Sequence, residues 1–386
     1  MLGTCGFPAL ARRRLCSIQS RMTPDNPRPR TASREEVNTV LRCEPSRKTP
    51  LFLPAIYEHK AWFIQNTPSA VSRDSDLLTR ALLAEYETLA PDALTVGIDV
   101  YNIEAEAVGC TVTYYEGGDT SVPSISRHIL GEGTAGATGA AGTEPDFFKN
   151  APVPNPLKDG RMPVNIAAAR NVRRALGDDL WLRGAVSGPF SLAISLAGAD
   201  TVFMACLEEP EWVHAVLDYS GRIIREYAKA YIDAGAGLVI FDSQASPDLI
   251  APAMFEQFVL PEIRKLVDWA ASQGVRDVPL VIGGNTTPIA ELLAQTGANN
   301  LLSDFTTEVV PWLDVCRRYK RALRRNISPR LIETQTPDCI HAQAVQEAWF
   351  HKEFPGFIVG TGVIPYGTPS ENILAIKQAC LDAGLS

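Results

Sequence analysis

Residues 211–242, EWVHAVLDYSGRIIREYAKAYIDAGAGLVIFD, decide the fold. Apolar residues recur every three to four positions from Glu211 to Ala234, the period of an amphipathic helix, and the run Gly237–Phe241 that follows has strand length. A long helix feeding a short, continuously apolar strand is one step of a parallel sheet covered by helices. The step repeats along the chain. Outward from this stretch, strands are expected near Pro50–Pro54, Ala93–Ile98, Leu180–Val186, Gly237–Phe241, Pro279–Gly283, Asn300–Ser303, Arg321–Arg324 and Gly356–Gly360. Helical segments such as Ala253–Ser272 lie between most of them. Eight strands in such alternation predict an α/β protein of one architecture, a single closed (β/α)8 TIM barrel with an N-terminal extension. The expected division is an extension over residues 1–34 and a barrel over residues 35–386.

The chain has 386 residues, 46% hydrophobic and 21% charged, enough apolar mass for a large core. Its 36 basic and 44 acidic residues leave a net charge of −8, a field that repels phosphate backbones, so no nucleic-acid partner is expected. No run approaches the ~20 apolar residues that cross a bilayer, so no membrane partner is expected either. Eight cysteines (Cys5, Cys16, Cys43, Cys110, Cys206, Cys316, Cys339, Cys380) show no C-x-x-C spacing, which points to a reducing, cytoplasmic setting. A homodimer is left open.

Residues 1–34 carry seven arginines (Arg12, Arg13, Arg14, Arg21, Arg28, Arg30, Arg34) against the single acid Asp25. That bias suits an organelle transit peptide, in which case the destination changes; equally, Met22 could be the start and the preceding residues an unfolded addition. Ser33-Arg-Glu-Glu36 reads as a capping box opening the first helix. The segment Gly131–Gly142, GEGTAGATGAAG, reads as a mobile loop: no Gly-Lys-Ser/Thr follows it and no clear strand precedes it, so phosphate-cradle readings fail.

In such barrels chemistry sits just past the C-terminal strand ends. There the sequence offers Tyr57, Glu58, His59 and Lys60 after the first strand, Asp99, Tyr101, Asn102 and Glu104 after the second, and Asp242 and Gln244 after the fourth. Later strands add Asn285, Asp304, Asn326 and Thr361. Asp99, beside Tyr101 in an enclosed mouth, is the first candidate for a proton-transfer or charge-stabilising group; the competing reading is an Asp that caps its own turn. His59 and Lys60 are candidates for holding a substrate carboxylate. Substrate contact is also expected from Tyr57, Asn102, Asp242, Gln244, Asn285, Asp304 and Asn326. A metal is not expected; if one is present, its ligands would be Glu58, His59 and Asp99.

Four segments carry a resemblance. Gly188-Pro-Phe-Ser-Leu-Ala193, Asp242-Ser-Gln-Ala-Ser-Pro247 with Phe255–Pro261 behind it, Gly284-Asn-Thr286, and Gly362-Val-Ile-Pro-Tyr-Gly-Thr-Pro369 with Glu371-Asn372 resemble, in the same order, the uroporphyrinogen decarboxylase superfamily over residues 35–385. The resemblance implies a single (β/α)8 barrel and one of two chemistries. One branch decarboxylates a porphyrinogen without metal or cofactor, using a strand-end aspartate, an assisting tyrosine and arginines for the acid arms. The other moves methyl groups between corrinoid proteins and thiols, with zinc on a His-x-Cys pair and a distal Cys.

Where the zinc ligands would stand, this chain has Val281-Ile-Gly283 and Val363, which offer no lone pair. The corrinoid motif Asp-x-His-x-x-Gly has Ser126 in place of its Asp before His128 and Gly131, so any corrinoid would ride on a partner protein. The arginines of the decarboxylase branch are replaced by Ile56-Tyr-Glu-His-Lys60. The leading expectation is therefore a metal-free decarboxylase-like lyase acting on a porphyrinogen or other carboxylated substrate through Asp99 and Tyr101. The alternatives are corrinoid-dependent methyl transfer with a separate corrinoid protein, and a non-catalytic barrel that binds a tetrapyrrole.

Overall fold

A computed structural model describes residues 31–45, 48–130 and 144–384. The expected N-terminal extension, up to residue 30, and the Gly/Ala/Thr segment 131–142 lie outside the described residues. Ten strands are present among those described: β1 (Leu51–Ala55), β2 (Leu94–Val96), β3 (Thr111–Thr113), β4 (Ser124–Arg127), β5 (Leu182–Ser187), β6 (Gly237–Phe241), β7 (Leu280–Val281), β8 (Asn300–Ser303), β9 (Ala322–Ile327) and β10 (Phe357–Val363). Each of the eight strands read from the sequence overlaps one of these. The antiparallel hairpin β3–β4 was not foreseen; it is an excursion between β2 and β5.

The eight parallel strands run β1-β10-β9-β8 and β2-β5-β6-β7. Two joints close them into a ring. At one, Pro279 pairs in parallel with Asn300, linking the β7 and β8 sides. At the other, the ladder is replaced by a side chain: Phe52 N donates to Asp92 Oδ2 (2.7 Å) while Asp92 N donates to Phe52 O (3.0 Å). The other carboxylate oxygen of Asp92 takes the Ala32 amide at 2.5 Å, tying the chain just ahead of the first helix to the same seam. That helix, Arg34–Leu41, is opened by the expected capping box, with Ser33 and Glu36 satisfying each other's backbone amides.

Inward and outward residues alternate. Leu51, Leu53, Ala93, Trp181, Ala322 and Ile358 fill the lower interior with residues of the first helix, and Ala55, Tyr57, Ala185, Val239 and Phe241 fill the upper interior. Most of the remaining core lies between barrel and helices. The helix expected at Ala253–Ser272 is interrupted by a π-helical turn at Phe255–Val259, before the regular helix Leu260–Ser272. Pro261 explains the break: it has no amide to donate, and its ring crowds the preceding turn.

Candidate active site

The strand ends converge on a mouth that is aromatic below and polar above. Tyr57 and Tyr101 both set their rings edge-on to Phe241, with centroids 5.6 and 6.2 Å apart. The Tyr101 hydroxyl donates to Ser243 Oγ at 2.8 Å. Burial pushes the Tyr57 phenol up to about 12 and raises that of Tyr101 as well, so both stay protonated donors. Across the mouth, Asp304 accepts from Asn326 Nδ2 (3.2 Å), from the Gly284 amide (3.1 Å) and from the Phe305 amide (3.0 Å). Asn326 Oδ1 is buried and without a partner among the described residues. Thr361 is spent on the fold, its hydroxyl accepting from the Ala55 amide at 2.9 Å.

Asp99 is placed otherwise than expected. β2 ends at Val96, and Gly97, with φ of +118°, turns the chain out of the strand direction before Asp99. The Asp99 carboxylate then accepts from Arg161 Nη1 at 2.6 Å and Asn102 Nδ2 at 3.4 Å. Arg161 and Asn102 each precede a helix (Met162–Leu176 and Ile103–Ala107), so Asp99 is committed to the helix layer while Tyr101 faces Ser243. The guanidinium of Arg161 also binds Glu106 at 2.5 Å and lies over the Tyr114 ring. Burial raises the Asp99 pKa, and the Arg161 charge opposes that rise. Asn102 likewise belongs to this layer, donating to the Pro123 carbonyl.

Three further expectations are corrected. Lys60 does not face a substrate: it is fully buried, donates to the Ile56 carbonyl and stands 3.6 Å from Glu85. His59 carries no charge for a carboxylate, because burial lowers its pKa to about 4; its Nδ1 lies 3.0 Å from the Pro365 carbonyl and must donate, leaving Nε2 a buried acceptor without a described partner. Asp242 is fully buried and accepts the Ser191 amide at 2.7 Å, capping the helix Pro189–Ala197. The expected Gln244 and Asn285 are exposed at the rim, Asn285 accepting from the Thr287 amide at 3.3 Å. Glu58 is half-buried, and burial raises its pKa.

No three His, Cys, Asp or Glu side chains gather into a metal-binding group among the described residues. The ligand set Glu58, His59 and Asp99 is therefore not assembled, since Asp99 is held by Arg161. Val281 is half-buried and Val363 is exposed, and neither they nor Gly283 offer an electron pair, so zinc does not fit there. His128 donates from Nδ1 to the Ser195 carbonyl at 2.8 Å, where the corrinoid motif would have its Asp.

Sequence reasoning missed Arg161, Ser243 and two arginines inside the barrel, Arg183 and Arg324. The last two left a signal, since a charged residue inside an otherwise apolar strand run needs a reason. Arg161 left none, standing in irregular chain after three prolines.

Glu104 carries a pH prediction. It is fully buried, accepts the Ser187 amide at 2.7 Å and the Ser187 hydroxyl at 3.2 Å, and burial pushes its pKa up to about 7. A carboxyl raised above its unfolded value of 4.5 contributes stability that is complete below that value and lost as pH rises through 7. Asp242, pushed up to about 6, adds a slope of the same sign. The expected result is a melting temperature that falls between pH 5 and 8 in the wild type. In Glu104→Gln the fall is smaller by the equivalent of about 2 kcal/mol. Parallel curves for the two proteins would refute it.

The comparisons with known proteins agree on a family. The model of the uroporphyrinogen decarboxylase (URO-D) family matches residues 32–382. A methylated-thiol–coenzyme M methyltransferase of Methanosarcina mazei is 26% identical over 323 residues, covering 80% of this chain and 77% of that protein. A methylcobamide:CoM methyltransferase of Methanosarcina barkeri is 26% identical over 308 residues, covering 79% and 84%. A uroporphyrinogen decarboxylase of Synechococcus sp. (strain CC9902) is 28% identical over 214 residues, covering 52% and 58%. Among solved structures, a methyltransferase from Methanosarcina mazei superposes with a TM-score of 0.77 at 23% identity, over 90% of this chain and 97% of that one, which shows a shared fold.

Proposed function

The chain belongs to the uroporphyrinogen decarboxylase family, and from that premise we propose that it is a methyl-transfer enzyme of that superfamily. In this reading it exchanges a methyl group between a small acceptor and a corrinoid carried by a separate protein, without a zinc-bound thiolate of its own. The observation that carries the choice is the Arg161–Asp99 contact at 2.6 Å. Decarboxylation in the manner of the other branch needs a carboxylate whose charge is free to stabilise a cationic intermediate, and a guanidinium in hydrogen-bond contact has already cancelled it. Asp304, at the end of β8, also stands where a polycarboxylate would need a cation. Relatives named as methyltransferases, one of them for methylcobamide, support the same side.

The corrinoid would supply a methyl group from cobalt and would keep the electron pair of the broken cobalt–carbon bond. The chain's own groups do the rest. Tyr57, Tyr101 and Phe241 form a floor that keeps water from the reacting atoms, and the Tyr101–Ser243 hydrogen bond fixes one side of it. Asp304 and Asn326 orient the polar part of the acceptor. Glu58, with its pKa raised by burial, takes the proton that the acceptor heteroatom gives up as its electron pair bonds to the methyl carbon.

Metal-free decarboxylation is the second reading, favoured by the donor-less positions Val281, Gly283 and Val363. One experiment separates them: methylcobalamin with a panel of thiol, amine and phenol acceptors, run beside anaerobic uroporphyrinogen. The expected result is acceptor-dependent loss of the methyl group, insensitive to chelators and slowed about tenfold or more in Glu58→Gln. Stepwise loss of carboxyl groups from uroporphyrinogen, abolished in Asp99→Asn, would replace this reading with the second.

A further inference from the structure

Two guanidinium groups stand inside the barrel with no carboxylate in direct contact among the described residues. Arg183 lies on β5 between Trp181 and Ala185, both inward-facing, and Arg324 lies on β9 between the inward Ala322 and Asn326. In the ring order β1, β2, β5, β6, β7, β8, β9, β10, these two strands are four apart, so they face each other across the barrel axis. Each arginine is only 2% exposed.

Their hydrogen bonds go to neutral groups. Arg183 Nε donates to Thr95 Oγ1 at 2.7 Å, and Arg324 Nη2 to the Thr361 carbonyl at 3.1 Å. Arg183 Nη1 and Arg324 Nε are buried with no partner among the described residues. Neither arginine has a carboxylate oxygen within 4.0 Å there. The nearby acids are engaged elsewhere, Glu85 with Lys60 and Asp304 with Asn326, Gly284 and Phe305.

A buried lysine can shed its proton, but a guanidinium cannot, so the two positive charges persist. Burying a charge without a counter-charge costs several kcal/mol, which native interiors avoid by pairing. Arg183 leans toward Thr95 on β2, and its register partner on the other side, Gly237 of β6, sets no side chain against it. Burial and the charge of Arg324 together push the Arg183 pKa down to about 10, as expected of like charges that share a low-dielectric space.

We propose that the barrel interior binds one small monovalent anion, of halide or formate size, between Arg183 and Arg324. The site lies beneath Tyr57, whose phenol interacts with both arginines, and it is proposed whichever chemistry the mouth performs. Bromide is the probe. Crystals of the full chain grown in bromide are expected to show an anomalous peak within hydrogen-bond reach of Arg183 Nη1 and Arg324 Nε. In solution at fixed ionic strength and pH, chloride, bromide and formate are expected to raise the melting temperature saturably, and gluconate, too large to enter, is not. Formate acting without the halides would identify the occupant as a carboxylate group rather than a free halide. Arg324→Met should remove the peak and the saturable rise; should that variant not fold, the wild-type bromide map decides alone. Water or empty density between the arginines, or a melting response that is the same in gluconate, overturns the proposal.

Discussion

Arg161→Met is expected to destabilise the protein by about 3–5 kcal/mol, read from urea unfolding at pH 7. Arg161 is 5% exposed and carries two carboxylates, Asp99 at 2.6 Å and Glu106 at 2.5 Å. Methionine conserves much of the side-chain volume and removes only the charge, so the cost is that of stranding Asp99 in a site where burial already raises its pKa. The remedy follows from the same cause. Asp99→Asn in the Arg161→Met background should recover more than half of the loss, because an amide needs no counter-charge. If Asp99 instead faced open solvent in the mouth, Arg161→Met would cost less than ~1 kcal/mol and the second substitution would restore nothing.

The second large effect is expected at Gly188. Its φ is −78°, which any residue adopts, so backbone strain is not the issue. A Cβ there would sit 2.1 Å from Asp242 Cγ and 2.3 Å from its Oδ2, and Asp242 is fully buried with its other oxygen on the Ser191 amide. Gly188→Ala therefore has to expel the carboxylate from the N-terminus of Pro189–Ala197 or push β5 from β6. A loss of about 3 kcal/mol or more is expected, seen as a fall in melting temperature or failure to accumulate soluble protein. Asp242→Ala alone should cost about 1–2 kcal/mol, the worth of a helix cap. Because the Asp242 Cβ would itself lie 2.3 Å from the new methyl, Asp242→Ala leaves the clash in place, and the rescuing double variant is Gly188→Ala with Asp242→Gly, expected to be more stable than Gly188→Ala alone. A double variant as damaged as the sum of the two would show that the crowding lies elsewhere.

The barrel was legible in the sequence because its strands are apolar on both faces and its helices on one, and that difference in period survives without any long-range information. Gly237–Phe241 and Pro210–Asp233 are where the pattern put them, within a residue or two. The site was less legible. Listing strand-end residues picked out Tyr57 and Tyr101, which pack on Phe241, and Asp304 and Asn326, which are hydrogen-bonded to each other. The same rule misplaced Asp99, because the turn at Gly97 lies between it and the strand, and a periodicity argument assumes that the strand continues. His59 and Lys60 show a different limit. Their charge was read from residue type, whereas burial and the pairing of Lys60 with Glu85 are decided by helix Ser75–Leu89, far away in sequence. The interior arginines were in plain view within two expected strands; reading those strands only as core concealed them.

The seam at Asp92 gives the molecule an order of opening. Seven of the eight joints between neighbouring staves are made by main-chain pairing, whose strength is spread along a strand or at least fixed by the backbone. The eighth is a single residue, Asp92, joined to Phe52 by one main-chain bond and by its carboxylate, which also anchors Ala32. Because the Phe52 and Ala32 amides share that carboxylate, their protons are expected to trade with solvent together and sooner than those of the ladders.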